Sequence, residues 1–389
     1  MAGSIGKKFA INSFGESHSK SIGVTVNGCP INLKISEKDI QKDLDRRRPG
    51  QSNLVSPRLE KDKVKIQTGV IDGKTNGDTI TMIIENKDVK SDNYARIKYR
   101  PRPGHADYPA WIKYGDSFDY RGGGIFSGRI TATYVMAGAI AKKLLKEQLD
   151  VEVFAHTLQV GKVKVEKKVT AEMVKQNAEK NPVRCADSET AKLMIDEIEK
   201  AKSQSKSVYS IVEGIALNVP VGLGSYTFDS FKGDLARYLM LIPGVKGLSF
   251  GEYANIWFKK EILPDKYKLK NGRIIAEKNI DGGIVGGLTD GMPIRCQVLF
   301  KAPFPGSREY ETVDIKTMEE VKVKRVGEER LSDSRDDPCL APRAVPVVEA
   351  MMANCIVDHA LKVGKIKTVL ENCRGGEMAD ATDLKSVGT

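Results

Sequence analysis

The amino-acid sequence predicts an α+β fold. Strand and helix patterns are mixed along the 389 residues without a regular β-α-β alternation, which argues against a doubly wound parallel sheet. Apolar residues make up 40% of the chain, which is enough for a large buried core. No apolar run approaches the roughly 20 residues of a membrane span, and the N-terminus has no apolar signal segment. The six cysteines form no C-x-x-C pair, so we expect a protein of the reducing cytoplasm.

Alternation of apolar and polar residues predicts the strands, and apolar residues three or four positions apart predict the helices. The strand segments are residues 22–26, 64–84, 154–160, 210–226 and 294–300. The helix segments are residues 37–48, 129–149, 188–201, 231–242 and 347–363. Ser36-Glu37-Lys38-Asp39 resembles a capping box ahead of the first helix, which should end before Pro49-Gly50. Turns at Asp72-Gly73 and Asn76-Gly77 divide the second strand segment.

Two glycine-rich stretches could approach a ligand closely. The loop-rich segment from Tyr94 to Gly124 ends in three glycines ahead of a helix, where backbone N–H groups could meet a phosphate. It matches neither a Walker A loop nor a G-x-G-x-x-G turn, so no nucleotide fold is implied. Residues 281–291 (DGGIVGGLTDG) permit close approach of a planar ligand, or they form a pair of tight turns.

The formal net charge of +11 suits a nucleic acid, an anionic membrane surface or a polyanionic small molecule. The arginines favour the last of these, because they cluster beside glycine and proline, where a planar guanidinium can hold phosphate or carboxylate. For any one cluster a solvated surface or a helix C-terminus is the alternative. The clusters are residues 46–50, 100–104, 128–129 and 334–335.

The four histidines divide into two groups. His156 lies in a strand pattern and His359 in the last predicted helix, so we expect structural roles for both. His18 and His105 lie in glycine-containing loops, beside Glu16 and Asp107, where imidazoles suit general acid–base work on an anionic substrate. No histidine spacing matches a metal site, so we expect none.

One acidic residue precedes a proline near the last helix. Asp337 must be extended because Pro338 follows it, so its carboxylate can project from the helix entrance. Simple capping of the helix by Asp336 or Asp337 is the alternative interpretation.

Five segments together closely resemble the chorismate synthase family, and the matching segments run in family order from about residue 5 to 362. They are GESHSKSIGVTVNGCP, RRRPG, RPRPGHADYPAWIKYG, DYRGGGIFSGRITA and RDDPCLAPRAVPVVEAM. The resemblance implies a single catalytic core, residues 1–374, with helices between antiparallel sheets. It implies a cytoplasmic homotetramer that converts 5-enolpyruvylshikimate 3-phosphate to chorismate by 1,4-anti elimination of phosphate, with reduced FMN and no net redox change. The polar composition of residues 375–389 predicts a disordered tail.

The resemblance also implies roles for individual residues. His18 would protonate the departing phosphate, His105 would protonate or hydrogen-bond the reduced flavin, and Asp337 would take the proton from flavin N(5). The substrate-binding residues would be Arg47, Arg102, Ser127, Arg129 and Arg335. The FMN-binding residues would be Ile125, Phe126, Ser127, Gly286, Lys301, Ala302, Pro303, Phe304, Pro305 and Arg335.

The sequence departs from the family pattern at three places. Ser19 follows the first histidine in place of Gly or Cys, Asp336 replaces a histidine, and Asn53 replaces a basic residue for which Arg58 could compensate. An RNA-binding protein and a flavin-binding pseudoenzyme are the competing hypotheses. No RNP-type motif accompanies the charge, and only 6% of the residues are aromatic. No added reductase domain is evident, so we expect dependence on an external flavin reductant.

Overall fold

The computed structural model describes residues 3–56, 58, 60–87, 94, 98–255, 264–304, 309–323 and 337–371. The predicted tail, residues 375–389, lies outside the described residues, as do Pro305, Arg335 and Asp336. Within that part of the chain, the helices are α1 (Glu37–Arg47), α2 (Asp107–Tyr114), α3 (Thr131–Leu149), α4 (Ala171–Asn177), α5 (Ser188–Ser203), α6 (Phe231–Met240) and α7 (Ala341–Lys362).

Antiparallel strands, most of them short, lie between these helices in the sequence, often several in a row. The strands are β1 (Ala10–Gly15), β2 (Ser21–Asn27), β3 (Val64–Thr68), β4 (Val70–Ile71), β5 (Lys74–Thr75), β6 (Ile80–Glu85), β7 (Glu152–Val160), β8 (Val163–Lys164), β9 (Ser210–Leu217), β10 (Val245–Phe250), β11 (Tyr267–Lys270), β12 (Arg273–Ala276), β13 (Ile284–Val285), β14 (Leu288–Thr289), β15 (Ile294–Phe300), β16 (Tyr310–Asp314) and β17 (Glu319–Val323).

Two antiparallel sheets enclose a layer of helices. One sheet has the strand order β1-β2-β6-β3 and the other has the order β10-β15-β9-β7-β8. Between them, α3 packs against β2 and α7, and α7 packs against β7 and β9, with α1 beside both helices. The predicted α+β fold, with helices sandwiched between antiparallel sheets, is confirmed.

The central helix pair packs at very short distance because small residues face each other. A Cβ atom added to Gly138 of α3 would lie 2.3 Å from the Cβ of Ala350 in α7. Among the described helices, α7 alone is long and apolar enough to match a membrane span, but 94% of its most apolar window is buried inside the protein. It is therefore the core helix of this fold.

Helix α7 begins earlier than the sequence predicts. The predicted start lay after Pro346, yet α7 begins at Ala341 and contains this proline. Because Pro346 lacks an N–H group, the carbonyl of Pro342 has no partner within the helix. The Arg184 guanidinium donates to that carbonyl instead. The cost of an interior proline is thereby reduced by a side chain from a distant loop.

A buried ionic cluster joins α1, α3 and α7. Glu349 of α7 accepts hydrogen bonds from Arg46 at 2.6 and 2.8 Å and from Lys142 at 2.9 Å. The backbone N–H of Ala155 donates to the same carboxylate at 3.1 Å. Burial alone would raise the pKa of Glu349, but Arg46 and Lys142 hold it at about 2. The Arg46 side chain is therefore bound to a carboxylate of the core.

Local sequence patterns account for most of the other elements. The capping box at Ser36 forms, because Asp39 accepts from the Ser36 N–H at 2.9 Å, and α1 ends at Arg47 as expected. Strand β15 matches residues 294–300, and β2 covers the predicted alternation. The prediction of a loop-rich segment from Tyr94 to Gly124 is wrong in one respect, since residues 107–114 form α2.

Candidate active site

A cavity of about 710 Å³ opens where several loops meet the N-terminal end of α7. Its wall combines the loop before β2, the segments 102–107 and 122–131, the chain from α6 into β10, and residues after β15. The described part of the lining contains seven cationic side chains and two carboxylates. The cations are Arg47, Arg58, Arg102, Arg129, Lys246, Lys301 and Arg343. This charge balance favours an anionic ligand.

Most of the residues named from the sequence meet in this one cavity. They are His18, Arg47, Arg102, His105, Ile125, Phe126, Ser127, Arg129, Lys301, Pro303, Phe304 and Asp337. Ala302 lies between two lining residues without itself contributing to the wall. Pro305 and Arg335 lie outside the described residues. The placement supports the residue set, while the individual roles stay predictions.

Gly286 is not brought to the cavity within this chain. It lies in the turn between β13 and β14, whose neighbour Gly287 accepts from the N–H of Phe231, the first residue of α6. The cavity lies at the other end of α6, where Met240 contributes to the wall. A helix of this length measures about 15 Å, so Gly286 and the Met240 part of the wall lie at opposite ends of α6. The FMN contact of Gly286 stays a prediction.

Arg47 and Arg129 share one buried carboxylate. Arg47 donates to Asp62 at 3.3 Å, and Arg129 makes a short ion pair with the other oxygen of Asp62. Arg47 also donates to the carbonyl of Gly128 at 2.7 Å and to the hydroxyl of Thr131 at 3.1 Å. Burial would raise the pKa of Asp62, but Arg129 and Arg47 hold it below the usual range. Asp62 is thus an ionised counter-charge behind the wall.

Arg102 is fixed by the first residue of α2. Asp107 accepts from its Nε at 2.7 Å and from its Nη2 at 2.9 Å, in a bidentate pair. The backbone N–H of Arg102 donates to the same carboxylate at 3.0 Å. Gly123 lies next to this guanidinium, since an added Cβ would be in ordinary contact with its Nη2 at 3.7 Å. The loop therefore presents a pre-positioned cation.

Asp337 lies at the entrance of α7 and contacts two neighbouring elements. Its carboxylate accepts from the backbone N–H of Ser56 at 2.8 Å and from Nη1 of Arg343 at 2.5 Å. Arg343 also donates to the carbonyl of Arg47 at 3.1 Å. Asp337 does not cap α7, since the N-cap is Leu340. Its carboxylate is therefore held in the cavity wall.

His18 packs closely against the three-glycine segment. A Cβ added to Gly122, whose φ is +58°, would lie 2.3 Å from Cε1 and 2.5 Å from Nδ1 of His18. The imidazole also meets the ring of Tyr94 edge-on at 5.2 Å. The absence of a side chain at Gly122 thus admits the imidazole to the cavity wall. Ser19 fixes the same turn, because its hydroxyl donates to the carbonyls of Glu16 and Ser21.

His105 lies exposed at the mouth of the cavity. Its ring meets Phe304 edge-on at 5.9 Å, and its Nδ1 lies 3.3 Å from the carbonyl of Pro103. Partial burial and the charge of Arg102 lower the pKa of His105 to about 4. Although water screens part of this effect at an exposed ring, the direction favours a neutral imidazole at pH 7. His105 is accordingly a hydrogen-bonding group in the free protein.

A small second core holds both imidazoles. Tyr94, Tyr310 and Val323 are buried together, with Phe304 and Tyr120 packed against them. Tyr94 contacts His18, while Phe304 contacts both His105 and Tyr310. The hairpin of β16 and β17 therefore supports the two imidazoles through aromatic contacts.

The cavity also has an apolar wall and a paired cationic corner. Ile125 and Phe126 remain 44% and 43% exposed, although both line the cavity, and Met240 and Leu241 lie in the same wall. Burial and the charge of Lys246 lower the pKa of Lys301. The wall could take a planar ring, and the corner could take a phosphate.

The other two histidines are structural, as the sequence predicts. His156 is fully buried and lies 3.0 Å from Glu213, which also accepts from Arg295 at 2.9 Å. His359 lies 2.9 Å from Asp234, close to the N-terminal segment. In the part of the chain that the structure describes, no cluster of three metal-ligating side chains occurs.

The departure at Asn53 and the residue that could compensate for it both have a visible place. Asn53 is turned to α5, where its side-chain amide donates to Glu199 at 3.1 Å, and it does not line the cavity. Arg58 does line the cavity and pairs with Glu60 at 2.8 Å. This arrangement supports the idea that Arg58 supplies the missing cation.

Comparison with known proteins agrees with this fold. The chorismate synthase family profile matches residues 9–361. The chain is 41% identical to a chorismate synthase of Methanobrevibacter smithii, over 94% of this chain and 98% of that protein. It is 43% identical to one of Korarchaeum cryptofilum, over 93% and 98% of the two chains. A crystal structure of chorismate synthase aligns with 92% of this chain and 93% of its own, at 27% identity and a TM-score of 0.70. The chain therefore belongs to the chorismate synthase family.

Proposed function

We propose that the protein eliminates phosphate from 5-enolpyruvylshikimate 3-phosphate to form chorismate, as a carbon–oxygen lyase that uses reduced FMN without net redox change. The observation that carries this proposal is the cavity itself, in which seven cations and two imidazoles meet. The substrate has one phosphate and two carboxylates, and FMN has a further phosphate. A pocket of this charge can hold both molecules together.

The residues that line the cavity fit the proposed cofactor in their chemistry. Ile125, Phe126, Met240 and Leu241 supply apolar lining for a planar ring, and Lys301 with Lys246 offers charge for its phosphate. When bound, reduced FMN would supply transient electron donation that helps the phosphate to leave. The protein's contribution is placement of the two ligands and exclusion of water and oxygen.

Of the three titratable residues, two would carry out proton transfers and one would hydrogen-bond the cofactor. His18 would donate a proton to the departing phosphate, and Arg47, Arg102 and Arg129 would stabilise its negative charge. The neutral imidazole of His105 would hydrogen-bond the cofactor, and Asp337 would accept a proton at its carboxylate. Each such transfer contributes roughly 10²–10⁴-fold in rate.

The assembly and the reductant are part of the same proposal. We expect a cytoplasmic homotetramer, for which an exposed apolar surface beside the β13–β14 turn offers support. This surface comprises Val221, Tyr226, Phe228, Val285 and Leu288. It includes the neighbourhood of Gly286, so in this assembly the FMN contact predicted for Gly286 would come across a subunit interface. An external reductant would supply the reduced flavin.

An anaerobic assay with photoreduced FMN tests this function. We expect the purified protein to form chorismate and inorganic phosphate from 5-enolpyruvylshikimate 3-phosphate, with none formed when FMN stays oxidised. Aerobic turnover with NADPH and oxidised FMN alone would contradict the need for an outside reductant. Absence of turnover together with salt-sensitive retention on RNA would instead favour the RNA-binding hypothesis.

A further inference from the structure

Asp62 lies directly behind the cationic wall, and its side chain is fully buried. One carboxylate oxygen accepts from Nη1 of Arg47 at 3.3 Å, and the other makes a short ion pair with Nη1 of Arg129. Asp62 itself does not line the cavity. The two guanidinium groups are therefore joined through a carboxylate that a ligand does not touch.

Most of the other N–H groups of the two arginines are bonded within the protein, which limits the donors that a ligand could use. Nε and Nη2 of Arg47 are already bonded to Thr131 and Gly128. Nε of Arg129 donates to the Asn86 side chain at 3.1 Å. Nη2 of Arg129 is buried and makes no hydrogen bond within the part of the chain that the structure describes. Asp62 and Asn86 thus hold this guanidinium with one donor unused.

Electrostatics alone would drive the two arginines apart or out of the wall. Burial lowers the pKa of Arg47, and the charges of Arg343 and Arg129 lower it further, whereas Asp62 raises it. Buried like charges are tolerated only where a counter-charge with good geometry accompanies them. Asp62 is the carboxylate that both arginines contact.

We propose that Asp62 is a positioning residue that holds Arg47 and Arg129 in the cavity wall for binding of the substrate's anionic groups. The inference deepens the proposed function and rests on it, because the substrate is the phosphorylated acid named above. Asp62 acts through the two arginines and does not itself touch the ligand.

A double-mutant cycle between Asp62→Asn and Arg129→Leu tests this role. Asparagine keeps the size of the side chain but offers an N–H group where one arginine needs an acceptor. We expect each single variant to raise the KM for substrate about 30-fold, as for loss of a hydrogen bond to a charged group. The double variant should raise KM about 100-fold, well short of the product of the two single effects, because in the absence of Arg129 the change at Asp62 acts through Arg47 alone. Multiplied effects, near 1,000-fold, would overturn the inference.

The second readout is the Kd for inorganic phosphate, measured by calorimetry without turnover. In this cycle too, the effect of the double variant on the Kd should be smaller than the product of the two single effects. This result does not require turnover, so the role of Asp62 can be tested even if the protein forms no chorismate. Asp72→Asn is the matched control. Asp62 and Asp72 both have a positive φ, of 45° and 48°, but Asp72 lies exposed in a turn. A lowered Tm in Asp62→Asn with wild-type KM and phosphate affinity would reduce Asp62 to a structural residue and contradict the proposal.

Discussion

Replacement of His18 by alanine is expected to lower kcat by about 10²–10⁴-fold, because the departing phosphate loses its proton donor. The fold should persist, since the imidazole lies in the cavity wall and not in the main core. Steady-state kinetics under anaerobic conditions measure the effect, and circular dichroism checks the fold. Unchanged kcat in a folded variant would remove His18 from the mechanism.

A companion variant separates the position of His18 from its chemistry. Gly122→Ala keeps the imidazole but places a methyl group 2.3 Å from Cε1, so the ring must move. We expect kcat to fall at least about 10-fold, since displacement of a catalytic group by 1 Å can cost about 10²-fold. Gly73→Ala is the control, because its φ is +73° and an added Cβ would meet nothing within 4 Å. Equal activity of the two variants would show that the position of the imidazole is unimportant.

The second large effect is expected at Asp337. Asp337→Asn keeps an oxygen that can accept from the Ser56 N–H, but it cannot take up a proton and loses the charge that pairs with Arg343. We expect kcat to fall about 10²–10⁴-fold, as for loss of a general base.

The control for this variant is Asp150→Asn, an exposed carboxylate that pairs with Lys146 outside the cavity. It should keep wild-type kinetics, which shows that loss of one acidic charge elsewhere has no general effect. If Asp337→Asn raised KM with kcat unchanged, Asp337 would serve ligand binding alone and its role as proton acceptor would be wrong.

The fold could be predicted where a local pattern determines it. The capping box at Ser36 satisfies backbone groups within its own turn, so neighbouring residues alone predict the start of α1. The start of α7 could not be predicted in this way, because the partner for the Pro342 carbonyl is Arg184, more than 150 positions away. A proline in such a pattern reads as a boundary until the distant donor is known.

In the candidate site, too, some residues could be predicted from their local sequence and others could not. Histidines and arginines in glycine-rich loops were visible in the sequence, and the cavity contains His18, His105 and one arginine from each of three clusters. Asp62 was not visible, because Lys61-Asp62-Lys63 reads as a solvated run of charges, while the folded chain buries the carboxylate between two arginines. Arg343 was missed although it follows Pro342, so the rule that found the other arginines could have found it. Arg46 and Arg47 are adjacent, yet only the fold separates a core residue from a cavity residue.

The most direct test of the central claim is a crystal structure of the protein with oxidised FMN and 5-enolpyruvylshikimate 3-phosphate. The account predicts both ligands in the one cavity, with the substrate's anionic groups within hydrogen-bonding distance of Arg47, Arg102 or Arg129 and with His18 facing the phosphate. Substrate bound elsewhere, or these arginines turned away from both ligands into solvent, would contradict it.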